Sequence, residues 1–89
     1  MRKLRPTTRF KKDITRAKSR GKDITKLEEI IKKIQTATPL DPRNNRQRLS
    51  GSLAPNWECH IEPDWLLIWD EDEEEIRLIR TGTHADLFG

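Results

Sequence analysis

The sequence WECHIEPDWLLIWDEDEEEIRLI, residues 57–79, contains three consecutive strand patterns. Its centre, Trp65–Trp69, is a continuous apolar run, which is typical of a strand buried on both faces. Apolar and polar residues alternate before it, from Trp57 to Ile61, and a third apolar segment follows at 76–79. Six consecutive acids at 70–75 separate the last two segments. We interpret them as a solvated hairpin turn with the strand ends beside it, in preference to a metal or partner site.

Two amphipathic helices are predicted ahead of these strands. The first begins after Pro6 with a threonine cap and ends at Gly21. The second begins at Asp23 or at Thr25, which has capping-box spacing, and fades before Pro39. Their apolar residues recur every three or four positions. These residues are Phe10, Ile14 and Ala17 in the first helix, and Leu27, Ile30, Ile31 and Ile34 in the second.

The remaining segments complete the predicted order of elements. Arg2–Arg5 is a candidate edge strand, residues 39–56 are a loop with a short extended piece near Arg48–Leu49, and Thr83 caps a short last helix. The order is therefore β-α-α-β-β-β-α. Helices that come early and strands that come late predict an α+β fold, with the helix pair packed on one face of an antiparallel sheet. Residues 1–89 form a single domain.

Composition excludes several classes of protein. Of the 89 residues, 33% are apolar and 37% are charged, and no apolar run approaches the roughly 18 residues of a membrane span. No apolar core follows the basic N-terminus, so no secretory signal is predicted. The single cysteine, Cys59, excludes a disulfide framework and a four-cysteine zinc site. The expected compartment is the reducing cytoplasm.

Charge is divided unevenly along the chain. Residues 1–48 carry 16 Lys and Arg against 5 Asp and Glu, a net of +11, whereas residues 49–89 carry 2 against 10, a net of −8. A basic half of this strength favours a polyanionic partner, nucleic acid before a membrane surface. A solvated helical surface is the alternative interpretation of the same asymmetry.

Few side chains are candidates for chemistry. Histidine as a residue type exchanges protons near neutral pH, so His60 and His84 could form a general acid–base pair. Asp64, between two strands, either orients an imidazole or makes an ordinary turn. Trp65 and Phe88 are candidates for stacking on bases, with core packing the alternative for Trp65.

Metal and nucleophile chemistry find little support in the sequence. Cys59 and His60 are adjacent on a predicted strand and point to opposite faces, and no pair of residues has the spacing of a zinc site. No phosphate-binding glycine loop is present. The sequence predicts no cofactor and no metal.

Two longer motifs carry a family resemblance. The string HIEPDWLLI at 60–68 and the string RTGTHADLF at 80–88 resemble the YafQ-type toxins of bacterial toxin–antitoxin modules, in the RelE-like superfamily. The resemblance covers nearly the whole chain and includes the loop at Leu49-Ser-Gly51. It implies a RelE-like fold and a ribosome-dependent endoribonuclease that cleaves mRNA in the ribosomal A site.

The resemblance implies four catalytic residues. His60 matches the first histidine of the family's HxxPDW motif, and His84 matches the C-terminal catalytic histidine. Asp64 matches the aspartate of the motif and would orient or assist a histidine. Arg80 matches a basic position on the last strand and would stabilise phosphate.

The RNA-binding residues follow from the same comparison, with one departure. Trp65 and Phe88 would position a base. Family members commonly carry another histidine shortly before the loop glycine, where this chain has Gln47, which cannot exchange a proton near pH 7. Arg46 and Arg48 flank that position and could hold the scissile phosphate instead.

The implied mechanism is metal-independent acid–base cleavage that uses the ribose 2′-OH as nucleophile. The implied partners are the ribosome, mRNA and a cognate antitoxin, which would be a DinJ-like ribbon-helix-helix protein and would carry the toxin to operator DNA. Two alternatives remain. One is a catalytically impaired homologue that acts mainly as an antitoxin-binding partner and co-repressor, and the other is a gyrase inhibitor of the ParE type.

Overall fold

The computed structural model describes residues 1–49 and 56–89, which form a five-stranded sheet with helices against it. The strand order across the sheet is β1-β5-β4-β3-β2. The strands are β1 Lys3–Pro6, β2 Gln47–Arg48, β3 Trp57–Glu62, β4 Trp65–Glu71 and β5 Glu75–Gly82. The helices are α1 Thr8–Ser19, α2 Ile24–Gln35 and α3 His84–Phe88, and a 3₁₀ turn spans Pro42–Asn44.

The predicted α+β fold and order of elements are confirmed, with two differences in the sheet. Strands β3, β4 and β5 are antiparallel neighbours, but β1 pairs with β5 in parallel, so the sheet is mixed. A parallel pair requires a long connection, and the two helices between β1 and the later strands supply it. The predicted extended piece lies at Gln47–Arg48, one residue earlier than expected. Ser50 and Gly51 of the predicted loop lie outside the described residues.

The core lies between the helices and one face of the sheet. The run Trp65–Trp69 is buried on both faces, as its sequence predicts. Burial of these apolar side chains supplies most of the driving force for folding. The core residues are Phe10, Ala17, Leu27, Ile30, Ile31 and Ile34 of the helices, and Cys59, Trp65, Leu67, Trp69, Ile76 and Leu78 of the strands.

The helix caps follow local chemistry. Thr7 caps α1 by accepting the main-chain N–H of Phe10 at 3.1 Å. Gly21 adopts φ +77° just beyond that helix, a left-handed conformation that glycine takes without strain. Of the two candidates for the α2 cap, Asp23 is the one used, since its carboxylate accepts the main-chain N–H of Thr25 at 3.1 Å. Thr25 therefore lies inside the helix.

Candidate active site

Two histidines that are distant in sequence meet at one end of strand β4. Leu66 on that strand pairs with His60 of β3 on one side and with Gly82 of β5 on the other. Thr83 then caps α3, so that His84 is the first residue of the helix. The two imidazole centroids are 5.7 Å apart, with the ring planes tilted by 54°. The register of one strand thus brings the predicted acid–base pair together.

Asp64 fixes the orientation of His84. Its Oδ1 atom accepts both the His84 main-chain N–H, at 3.0 Å, and a hydrogen bond from Nδ1 of the ring, at 2.7 Å. These two bonds, the main-chain one first, lower the pKa of Asp64 below its usual range, so the carboxylate is ionised at neutral pH. Because a carboxylate only accepts, Nδ1 of His84 carries a proton and Nε2 is left for substrate.

The ring of His60 is also held at Nδ1, but by a main-chain carbonyl group and not by a carboxylate. Its Nδ1 atom lies 3.1 Å from the carbonyl oxygen of Pro63. A carbonyl oxygen cannot donate, so this contact requires a proton on Nδ1 and leaves Nε2 of the neutral ring as an acceptor. Both imidazoles therefore present Nε2 as the atom available for proton transfer.

The two aromatic candidates lie in different environments. Phe88 ends α3 with 48% of its surface exposed, and its ring centroid is 6.3 Å from that of His84. An open aromatic face therefore adjoins the histidine pair. Trp65 is only 1% exposed, and its indole N–H donates to the hydroxyl of Thr81 at 2.9 Å. Burial leaves no ring face for a base, which corrects the expectation that Trp65 stacks on RNA.

Arg80 is engaged within the protein. Its Nε and Nη2 atoms donate to the carboxylate of Asp13 at 2.7 and 3.2 Å, and Asp13 is buried at 4% exposure. The same carboxylate accepts the main-chain N–H of Thr81 at 3.1 Å. This pair links α1 to β5 and neutralises the arginine. The structure therefore corrects the expected phosphate contact of Arg80 and gives the residue a supporting role.

Arg46 and Arg48 lie away from the histidines. Their guanidinium carbons are 4.5 and 4.7 Å from the ring centroid of Trp57, which is cation–π geometry. Arg46 also donates to Glu71 at 2.7 Å. The Trp57 indole in turn stacks on Trp69, which belongs to the core between the helices and the sheet. The prediction that these two arginines hold the scissile phosphate is corrected by their position on the opposite face.

The side chain of Gln47 lies on the face of the sheet opposite to Arg46 and Arg48. It pairs with Glu58 across β2 and β3, and its amide donates to that carboxylate at 2.5 Å. Residues two apart on a strand share a face, so Glu58 and His60 point the same way. The position that departs from the family pattern therefore lies on the histidine face of the sheet.

Arg43 and Asn45 were not among the residues predicted from sequence. They lie on either side of the last residue of the 3₁₀ turn and line a cleft together with His60. Nothing in the pattern of a proline-containing polar loop distinguishes them, because the turn takes its position from tertiary contacts.

Other chemistries have weaker support. Burial raises the pKa of the Cys59 thiol to about 12, which leaves it protonated and non-nucleophilic at neutral pH. Within the ranges 1–49 and 56–89, no three His, Cys, Asp or Glu side chains gather as potential metal ligands. No helix in the described part of the chain is long and apolar enough to cross a membrane.

The fold and the paired histidines define a class of small bacterial toxin. A family model described as the bacterial toxin of a type II toxin–antitoxin system, YafQ, matches residues 2–89. The chain belongs to the YafQ toxin family.

Individual relatives agree with this assignment. The mRNA interferase toxin YafQ of Escherichia coli strain K12 is 38% identical over 81 residues, which are 90% of this chain and 88% of the relative. The toxin in the E. coli DinJ–YafQ toxin–antitoxin complex superposes with a TM-score of 0.90 at 35% identity, over 99% of this chain and 98% of the other. A copper-bound mutant toxin from Helicobacter pylori gives 0.94 at 36%, over 99% and 100%.

Proposed function

We propose that this protein is an mRNA interferase, the ribosome-dependent endoribonuclease toxin of a toxin–antitoxin system. Membership of the YafQ family and the name of the E. coli relative support the activity. The observation that carries the proposal is the His60–His84 pair, in which each ring is tied down at Nδ1 and presents Nε2. Two proton-transfer groups within one small site suit phosphodiester cleavage.

The proposed chemistry needs no metal ion. Nε2 of His60 removes the proton from a ribose 2′-OH, and the oxygen attacks the adjacent phosphorus. The bond from phosphorus to the 5′ oxygen breaks, and Nε2 of protonated His84 donates its proton to that oxygen. The products are a 2′,3′-cyclic phosphate and a 5′-OH. We assign the acid to His84 because its Nδ1 atom pairs with the Asp64 carboxylate at 2.7 Å, whereas Nδ1 of His60 contacts only a main-chain carbonyl oxygen.

Ribosome dependence is supported by the basic outer surface of α1. Four cations on this helix have no ion-pair partner among the described residues, and a folded polyanion such as ribosomal RNA would complement them. They are Arg9, Lys11, Lys12 and Lys18. The ribosome would hold the mRNA against the site, so cleavage of free RNA should be weak. Action on ribosomes would place the protein in the cytoplasm.

The proposed inhibitor is a DinJ-like antitoxin. The E. coli relative was solved in a DinJ–YafQ complex, which supports an equivalent partner for this chain. We propose that the complex, through its antitoxin, binds operator DNA.

The experiment that tests the activity is primer extension on an mRNA translated in a purified system. We expect discrete ribosome-dependent cuts, and a loss of about 10²–10⁴-fold in rate for His60→Ala and for His84→Ala. Circular dichroism and thermal melting establish that both variants are folded. Wild-type cleavage by either folded variant would contradict its proposed role. Persistence of the cuts with a chelator selective for zinc and copper over magnesium tests the absence of a metal role.

A substrate with sulfur in place of the bridging 5′ oxygen separates the two histidines. A thiolate leaves without protonation, so this substrate should restore cleavage to His84→Ala and not to His60→Ala. Rescue of His60→Ala alone would reverse the assignment of acid and base.

A second candidate function is a catalytically impaired toxin that serves mainly as antitoxin-binding partner and co-repressor. The observation that favours it is Gln47, whose side chain is bound to Glu58 on the histidine face where the resemblance implies a third histidine. This candidate predicts antitoxin binding and operator repression without any cleavage of translated mRNA.

A further inference from the structure

A cleft opens beside His60, between the 3₁₀ turn and the turn that joins β3 to β4. It has a volume of about 430 Å³. Ligand pockets commonly have volumes of about 300–1,000 Å³, so the space is large enough for one nucleotide. Its lining residues are Arg43, Asn45, His60, Ile61, Glu62 and Pro63.

The wall opposite the β3–β4 turn is held in place by a buried amide. Asn44 is 7% exposed, and its side-chain N–H donates to the main-chain carbonyl of His60 at 2.7 Å. This bond ties the 3₁₀ turn to strand β3 next to the catalytic ring. Because Asn44 points inward, its neighbours Arg43 and Asn45 are both exposed at the cleft.

The turn is also fixed from its two ends. Asp41 caps it by accepting the main-chain N–H of Arg43 at 2.9 Å, which lowers the pKa of Asp41 and keeps it charged. Asn45 follows in the left-handed conformation, with φ +48° and ψ +55°. Its main-chain N–H donates to the carbonyl oxygen of Pro42 at 3.1 Å. Both exposed side chains therefore project from a constrained backbone.

The cleft offers the groups that single-stranded RNA uses. The Arg43 guanidinium contacts Asp41 through Nε at 3.2 Å and keeps its Nη groups for phosphate oxygens or a base plane. The Asn45 amide can donate to and accept from a base edge, and Pro63 supplies an apolar surface. The acid of the cleft, Glu62, is neutralised by two lysines at 2.9 Å.

We propose that this cleft binds the RNA nucleotide next to the scissile phosphate, with Arg43 holding its phosphate or base plane and Asn45 contacting its base edge. The inference rests on the proposed ribonuclease function, because it is His60 that joins the cleft to the reacting ribose. Arg43 gives the site an exposed cation, which is needed because Arg46, Arg48 and Arg80 are engaged elsewhere.

Binding can be measured without cleavage. The probe is a set of fully 2′-O-methylated RNA trinucleotides, which lack the attacking hydroxyl, titrated into the ¹⁵N-labelled chain at low salt. We expect amide shifts at residues 43–45 and 60–63. Arg43→Ala should weaken binding about tenfold, the scale of a charge-assisted contact at an exposed site. The matched control is Lys32→Ala, a cation of α2 that lines a different groove, which should change affinity less than about twofold.

Base contact has a test of its own. Asn45→Gly removes the amide while keeping a residue that tolerates positive φ, so backbone strain does not enter the comparison. Among trinucleotides that differ at one base, the variant should show a smaller spread of affinities than wild type. In the translation assay the same change should alter the distribution of cut sites, and Arg43→Ala should raise KM more than it lowers kcat.

The outcomes distinguish this proposal from the proposed function. Shifts confined to other surfaces, or equal weakening by Arg43→Ala and Lys32→Ala, would overturn RNA binding at the cleft even if the protein cleaves mRNA. An unchanged spread of affinities in Asn45→Gly would overturn the base contact. Shifts at the cleft together with no cleavage of translated mRNA by the folded wild-type chain would overturn the proposed function and leave RNA binding at the cleft in place.

Discussion

The buried pair of Asp13 and Arg80 gives the most demanding test of the structural assignment. Asp13 accepts four hydrogen bonds, two from Arg80, one from Arg16 at 3.0 Å and one from the main-chain N–H of Thr81. Its side chain is 3% exposed and that of Arg80 is 18% exposed. Replacing Asp13 with alanine leaves a partly buried guanidinium and a buried N–H without their acceptor.

The expected cost follows from this geometry. Removing one partner of a buried ion pair costs about 3–5 kcal/mol, and the residual exposure of Arg80 favours the lower end, about 3 kcal/mol. A domain of this length has a free energy of unfolding of about 4–13 kcal/mol, so Asp13→Ala should remain folded with little margin. At about 4–8 °C per kcal/mol, Tm should fall by about 12–24 °C. Asp13→Asn keeps an acceptor without the charge and should cost about half as much.

Urea unfolding of the two single variants and of the double variant Asp13→Ala/Arg80→Ala measures the coupling. If the two side chains act as a pair, the double variant should lose less than the sum of the single variants by about 1–3 kcal/mol. Single losses below about 1 kcal/mol, or simple additivity, would refute the pairing and return Arg80 to the list of phosphate-binding candidates. An unchanged slope with urea concentration establishes that the variants share one unfolding transition.

Three further predictions concern single side chains. Cys59, protonated and buried, should react with iodoacetamide at pH 8 only as fast as the protein unfolds, and rapid labelling of the native protein would contradict its place in the core. The hydrogen bond from the Arg20 guanidinium is the main reason that the pKa of Asp86 lies well below its usual range. The ionised carboxylate therefore stabilises the fold at pH values above the pKa of Asp86 in the unfolded chain, and this stabilisation is lost as the pH falls through the lower pKa of the folded state. Asp86→Asn should therefore flatten the dependence of unfolding free energy on pH below about 4, measured by urea titration at several acidic pH values. Gln47→His should raise the rate of mRNA cleavage at least about tenfold by adding an imidazole beside Glu58, and equal rates in primer extension would show that glutamine is tolerated.

The elements that sequence predicts well are those in which a local pattern and the tertiary structure agree. The run Trp65–Trp69 has no polar face, so it can only be a central strand covered on both sides. The two helices each have one apolar stripe and a capping residue. Sequence leaves two candidates for the cap of α2, Asp23 and Thr25, because both side chains can accept an N–H, and only the backbone geometry decides between them.

The face of the sheet on which each candidate site residue lies depends on the alternation of side chains along a strand. Arg46 and Arg48 flank Gln47 in sequence. Adjacency in sequence therefore predicts that all three side chains lie near the scissile phosphate. On an extended strand, adjacent residues face opposite ways, so once Gln47 faces the histidines its strand neighbour Arg48 cannot. Arg46 lies just before the strand and contacts the same Trp57 ring as Arg48. The pattern of residues 39–56 predicts a loop, and this period-two rule does not apply to a loop.

The histidine pair itself depends on register, which no local pattern contains. His60 and His84 are brought together because Leu66 is aligned with His60 in one pairing and with Gly82 in the other. A slip of one residue in either pairing would turn one set of side chains to the other face of the sheet. Asp64 then adds a second constraint, since one carboxylate oxygen binds both the main chain and the ring of His84. The same oxygen therefore ties the start of α3 to the β3–β4 turn and sets the proton position on the imidazole, so the geometry of the fold and the protonation of the site are coupled at this residue.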